Sequence, residues 1–208
     1  MPCNHKFRKH LTLERLDFEP ETLIVGSFNP EWPENNTAQW FYGRTANTYL
    51  WDVLPRLYGE PSLMDAPVAE WQAFCRRNKI AFTDLISAID DADPATKNHE
   101  RMMGGFSDNA LVYNFDDFVF TNVAGILKKH PSIRNVYLTR SVTEAFWRHL
   151  WNPVAHHCSV NNLRERKILS PDDSVAYHHS AWNQDHPDQA ITSLPDYILM
   201  RWQQDWHF

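Results

Sequence analysis

The run Thr22-Leu23-Ile24-Val25-Gly26-Ser27-Phe28 constrains the fold most. It is apolar and β-branched without polar alternation, the pattern of a strand buried on both faces and so of a parallel sheet covered by helices. It stops at Asn29-Pro30-Glu31-Trp32-Pro33-Glu34-Asn35-Asn36, which is dense in turn formers and reads as a loop. Further segments repeat the alternation. From Thr45 a helix is expected, with Tyr49, Leu50, Val53, Leu54 and Leu57 at helical spacing and Gly59 as its stop. A second helix is expected over Ala66 to Arg77, then a strand over Ile80 to Leu85. Ser87 to Asp117, polar and containing Gly104-Gly105, reads as a long surface excursion. After it come a helix from Thr121 to Lys129, a strand from Ile133 to Thr139, and a helix from Val142 to Trp151 capped by Ser141. A short strand at Lys167-Ile168-Leu169 and a last helix from Pro195 through Trp206 close the pattern.

This order predicts an α/β fold: three αβα layers around a central, mostly parallel, four-stranded sheet, in one domain spanning residues 1–208. Ligands of such sheets bind outside the carboxyl ends of the strands. That places the site at Ser27 to Pro33, Thr83 to Asp90, Thr139 to Ser141 and Ser170 to Ser174.

Composition narrows the classes. The net charge is −6, which opposes duplex DNA binding unless positive charge is local. His5-Lys6-Phe7-Arg8-Lys9-His10 and Arg164-Glu165-Arg166-Lys167 are local concentrations, both readable as solvated surface. Cys3, Cys75 and Cys158 form no Cys-x-x-Cys pair, so no thiolate zinc or iron–sulfur site is expected. His156-His157 and His178-His179 read as solvated or capping residues, since chain neighbours rarely face one metal. No apolar run nears the roughly 20 residues that span a bilayer, and Met1 to Lys6 leads into polar residues. A cytoplasmic protein acting as a monomer is the expectation.

Two segments carry more. Val25-Gly26-Ser27-Phe28-Asn29-Pro30 resembles the first motif of the uracil-DNA glycosylase superfamily, a buried strand ending in Gly, a short insert and Pro. Phe41-Tyr42-Gly43-Arg44-Thr45-Ala46-Asn47-Thr48-Tyr49 is similar to the corresponding block of its hypoxanthine-DNA branch. Ile80 to Ile86 resembles the second-strand segment of the mismatch-specific branch, and Leu169-Ser170-Pro171 stands where the superfamily's second motif falls.

The resemblance implies a DNA glycosylase, needing no metal and no cofactor, that hydrolyses the N-glycosidic bond of a deaminated or mispaired base, uracil or hypoxanthine, flipped from DNA. A side-chain amide would hold the attacking water. Two are available: Asn29, before the proline as in the mismatch-specific branch, and Asn47, as in the hypoxanthine branch. The fuller match around Asn47 favours it narrowly; Asn29 also reads as a turn residue and Asn47 as a helix-start residue. Gly26, Ser27, Phe28, Pro30, Tyr42, Gly43, Thr83 and Asp84 would form the base pocket, with Phe28 as the stacking platform. Ser170 and Pro171 would meet a phosphate, although Asp172-Asp173 beside them is electrostatically adverse. That pair favours the alternative, a non-hydrolytic nucleobase, nucleotide or nucleic-acid binder on the same fold. Arg44, Arg140, Arg164, Arg166 and Lys167 gathered on the pocket side would favour DNA.

Overall fold

The computed structural model describes residues 1–43 and 47–207. In chain order the strands and helices are β1 (Cys3–Asn4), β2 (Thr22–Gly26), α1 (Leu50–Leu57), α2 (Val68–Arg77), β3 (Ile80–Asp84), β4 (Ile86–Ile89), α3 (Lys97–Gly104), α4 (Asp108–Asn114), β5 (Phe118–Phe120), α5 (Val123–Lys129), β6 (Asn135–Leu138), α6 (Ala145–Val160), β7 (Arg164–Lys167), α7 (Ala176–Asp185) and α8 (Leu194–Asp205).

The main sheet has the order β3-β2-β6-β7, every pair parallel. β2, in the middle, is buried along its whole length, as its unbroken apolar run requires. Its alternating side chains feed two cores. Leu23 and Val25 join β6's Val136 and Leu138 and α6's Trp147 and Trp151 on one face. Ile24 joins Trp51 and Leu54 of α1, Trp71 and Phe74 of α2, and Trp202 of α8 on the other. Helices on both faces of a parallel sheet make the expected αβα sandwich. Most of the aromatic residues are accounted for here; Trp51 and Trp71, for instance, stack at 4.8 Å between α1 and α2.

Pro55 inside α1 costs little, because the carbonyl it orphans, that of Trp51, accepts from the Leu63 N–H at 2.8 Å.

Four expectations are corrected. The stretch from Ser87 to Asp117 is not an unstructured excursion. It holds most of β4 together with α3 and α4, and β4 pairs with β1 and β5 in a small antiparallel sheet. Its two helices bury only Met103 and Leu111, so their polarity hid them. Ser141 caps nothing: α6 starts at Ala145, after Glu144, and continues past Pro153 to Val160 instead of stopping at Trp151. The last strand is the charged run Arg164–Lys167, three residues earlier than its apolar neighbours suggest, since an edge strand tolerates charge. Finally, α1 begins at Leu50, not at Thr45, and residues 44–46 lie outside the described residues.

Candidate functional site

β2 connects to β3 on one side, whereas β6 connects to β7 on the other. The crevice between their carboxyl ends is therefore the sheet's topological switch point. A cavity of about 1090 Å³ opens there, walled by the ends of β2, β3 and β6, the start of α4, and the loop after β7.

Its floor is built around Gly26. A Cβ on Gly26 would stand 2.4 Å from Asp84 Oδ1 and 2.6 Å from the Tyr42 hydroxyl. Only glycine lets a carboxylate and a phenol approach the strand backbone so closely. Asp84 is placed by register, opposite Gly26 on β3, and is 5 % exposed. Its Oδ2 accepts from His5 Nε2 at 2.6 Å. The other ring nitrogen of His5, Nδ1, accepts the Phe7 backbone N–H at 2.9 Å and so carries no proton. The buried pair is thus a neutral imidazole donating through Nε2 to the Asp84 carboxyl group.

Tyr42 closes the adjoining wall. Its backbone sits in the left-handed region at φ +54°, a strained conformation for a tyrosine. Thr48 Oγ1 fixes its carbonyl at 2.8 Å. Its hydroxyl meets Thr139 Oγ1 at 2.7 Å, while Thr139 in turn donates to the Val25 carbonyl. Burial, and then the Asp84 charge, push the Tyr42 phenol well above its ordinary range, so it stays a neutral hydrogen-bonding group.

Ser27, Phe28 and Asn29 continue the wall from β2. Their backbone N–H groups are donated to no acceptor among the described residues. Phe28 packs edge-on against His5 at 5.8 Å. Asn29 is buried; its side-chain carbonyl accepts from Asn36 Nδ2 at 2.6 Å and its backbone carbonyl from the Lys6 N–H at 2.8 Å. Asn47 is exposed at the rim, in a turn three residues ahead of α1, with its carbonyl accepting from the Asp173 N–H at 3.3 Å.

Opposite stands a group not singled out as a pair by its sequence. Arg140, just past β6, binds Asp108 at the start of α4 and reaches Glu144 at 3.6 Å. Its guanidinium lies over the Trp147 ring, 3.6 Å from the centroid. Burial raises the Asp108 carboxyl above its ordinary range, against the pull of the Arg140 charge and the Ser27 hydroxyl. Burial likewise lowers the Arg140 guanidinium, against the Asp108 and Glu144 charges. Desolvation is therefore the leading influence on both partners.

At the mouth, Ser170 donates to Asp172 Oδ2 at 2.7 Å, so its hydroxyl is tied to a carboxylate. Tyr49 donates to Asp173 Oδ1 at 2.5 Å, and the Tyr49 N–H to the Pro171 carbonyl at 2.6 Å. These bonds zip the loop after β7 to the segment before α1.

The cavity thus gathers Gly26, Ser27, Phe28, Asn29, Tyr42, Asn47, Asp84 and Ser170 from four distant stretches of chain. Pro30, Gly43, Thr83 and Pro171 do not line it. Pro30 pairs with His5 behind the wall, Gly43 packs against Trp71, the Thr83 hydroxyl bonds to the Leu11 carbonyl, and Pro171 is buried. Arg140 and Lys167 face the cavity; Arg164 and Arg166 do not, and Arg44 lies outside the described residues. The opening basic run is only in part the solvated surface its composition suggests, with Arg8 and Lys9 exposed. His5 is 1 % exposed, and Lys6 reaches the Asn36 carbonyl. Among the described residues no cluster of three or more His, Cys, Asp or Glu could hold a metal ion. No described helix is long and apolar enough to cross a membrane.

Against known proteins, no family model and no curated sequence matches the chain. Among solved structures the fold is similar to the solution structure of "a putative Uracil DNA glycosylase from Methanosarcina acetivorans". The two share 15 % identity at a TM-score of 0.52, over 88 % of this chain and 93 % of that one. A likeness at this identity establishes the uracil-DNA glycosylase-like αβα fold, with its four-stranded parallel sheet.

Proposed function

We propose that this protein is a DNA glycosylase-like hydrolase that cleaves the N-glycosidic bond of a deaminated or mispaired base, uracil or hypoxanthine, swung out of DNA into the cavity. The observation that carries this reading is the Asp84 carboxylate, recessed against Gly26 at the switch point and held by a neutral imidazole. Breaking the bond between C1′ and the base nitrogen leaves positive charge on the deoxyribose and negative charge on the departing base. A carboxylate in a recessed wall stabilises the first, and unclaimed backbone N–H groups at Ser27, Phe28 and Asn29 stabilise the second.

In this reading the attacking water sits between Asp84, which accepts its proton, and the Asn29 amide, which orients it. Asn29 takes this role ahead of Asn47 because it is buried in the wall, whereas Asn47 is exposed at the rim and suits contact with the nucleic-acid backbone. Phe28 supplies the face on which the base stacks, and Tyr42, kept neutral, offers a hydrogen bond to a base edge.

A specific observation favours a second reading, a nucleobase or nucleotide binder without hydrolysis. The Ser170 hydroxyl is engaged by Asp172, and Asp173 stands beside it, so the loop that would meet a phosphate carries carboxylates. The two readings separate in one assay. Labelled single- and double-stranded oligonucleotides containing uracil, hypoxanthine, xanthine or a mismatched base are incubated with the protein and treated with alkali. Strand breaks confined to one modified base support the glycosylase; no break on any of them, with base or nucleotide binding retained, supports the binder.

A further inference from the structure

We propose that His5 is the positioning residue of the site: it fixes the Asp84 carboxylate for catalysis from behind the cavity wall, and the first residues of the chain are thereby part of the catalytic machinery. The inference rests on the glycosylase reading and extends it to a residue that cannot touch substrate, since His5 is 1 % exposed and does not line the cavity.

The geometry leaves the imidazole one role. Its Nδ1 is occupied as an acceptor by the Phe7 N–H at 2.9 Å, so its single proton resides on Nε2 and is given to Asp84 Oδ2 at 2.6 Å. That bond engages one of the two carboxylate oxygens. Oδ1 lies beside Gly26, next to the Tyr42 hydroxyl, and all three residues line the cavity. A carboxylate pinned at one oxygen presents the other in a fixed direction, which matters because catalysis depends on placement at the ångström scale.

His5 is itself held on every side. Its backbone N–H donates to the Ser87 carbonyl at 2.9 Å, and it forms a bridge to Pro30, within the loop that carries Asn29. The neighbouring Lys6 N–H donates to the Asn29 carbonyl and the Glu31 N–H to the Asn4 carbonyl. Phe7, Phe28 and Phe41 pack round the imidazole with centroids 5.8–6.0 Å away. One buried ring therefore ties together the N-terminal segment, the Asn29 loop and the end of β3.

The test uses the full chain. Long-range ¹⁵N–¹H correlation of wild-type protein should show the His5 proton on Nε2 and a bare Nδ1; a proton on Nδ1 overturns the proposal whatever the variants do. His5→Gln keeps an N–H donor for Asp84, and His5→Phe removes it. On the oligonucleotide the wild type cleaves, His5→Phe should lose about a hundredfold in kcat with KM little changed, and His5→Gln should recover most of that loss. Circular dichroism checks that both variants fold; if His5→Phe does not, a wild-type rate in His5→Leu is the contrary result instead. Full activity in a folded variant without a donor, while the wild type cleaves, defeats this inference alone. No cleavage by the wild type defeats the glycosylase reading itself, and the catalytic role of His5 with it.

Discussion

Replacing Gly26 by alanine tests the site's construction at its tightest point. The new methyl carbon would lie 2.4 Å from Asp84 Oδ1 and 2.6 Å from the Tyr42 hydroxyl, about 1 Å inside ordinary contact for each. Neither neighbour is a loose chain end. Asp84 is anchored on His5 at 2.6 Å and Tyr42 on Thr139 at 2.7 Å, so relief requires breaking an anchor or bending β2 away from β3. Overpacking of this kind costs about 1–3 kcal/mol. For a chain of this length that is a fall in Tm of roughly 3–10 °C. Activity should suffer more than stability, because moving a reacting group by about 1 Å lowers the rate by on the order of a hundredfold. Differential scanning calorimetry reads the first quantity and single-turnover cleavage of an oligonucleotide the second. A Gly26→Ala protein that melts and cleaves like the wild type would refute the close apposition of Asp84 and Tyr42 on which the site rests.

Other outcomes follow from the same geometry. Asn29→Ala should lower kcat by about a hundredfold or more, and Asn47→Ala by less than about tenfold, since interactions made mainly in the transition state dominate kcat; equal losses in single-turnover assays would reverse their roles. Arg140→Leu should destabilise the fold at neutral pH by about 1–3 kcal/mol, because it strands the Asp108 charge in a largely desolvated wall. The sign with pH is definite. Asp108 titrates above its unfolded value, so the loss should be smallest in acid, where the carboxyl is protonated, and grow as pH rises through its raised range, as urea melts at several pH values would show. Cys3 and Cys158 are each pushed up to about 11 by burial and Cys75 further still, so none should react readily with a thiol reagent at pH 8 until the protein is unfolded.

Much of the architecture was legible because β2, β3 and β6 are short apolar runs bounded by turn residues and separated by helical periodicity. The carboxyl-end rule then pointed to the cavity through Ser27, Asp84 and Ser170. Local pattern could not reach what depends on pairing across the chain. His5 and Asp84 are 79 residues apart in sequence, and nothing near His5 distinguishes a buried donor from one more residue of a basic surface run. The partnership of Arg140 with Asp108 likewise joins the end of β6 to a helix hidden in a polar stretch. β7 escaped for a related reason: as an edge strand it is charged where the inner strands are apolar. The strained backbone at Tyr42 had no signal at all, since left-handed positions are read from glycine or asparagine and tyrosine is neither.

The central claim, that Asp84 drives N-glycosidic cleavage, is tested most directly by Asp84→Asn in single-turnover assays beside the wild type, on the oligonucleotide the wild type cleaves. The amide oxygen can still accept from His5 Nε2, so the fold and the hydrogen bond survive while the charge is removed. The account predicts a loss of about 10²–10³ in rate, with oligonucleotide binding nearly unchanged. Cleavage by the Asn variant at the wild-type rate would contradict it.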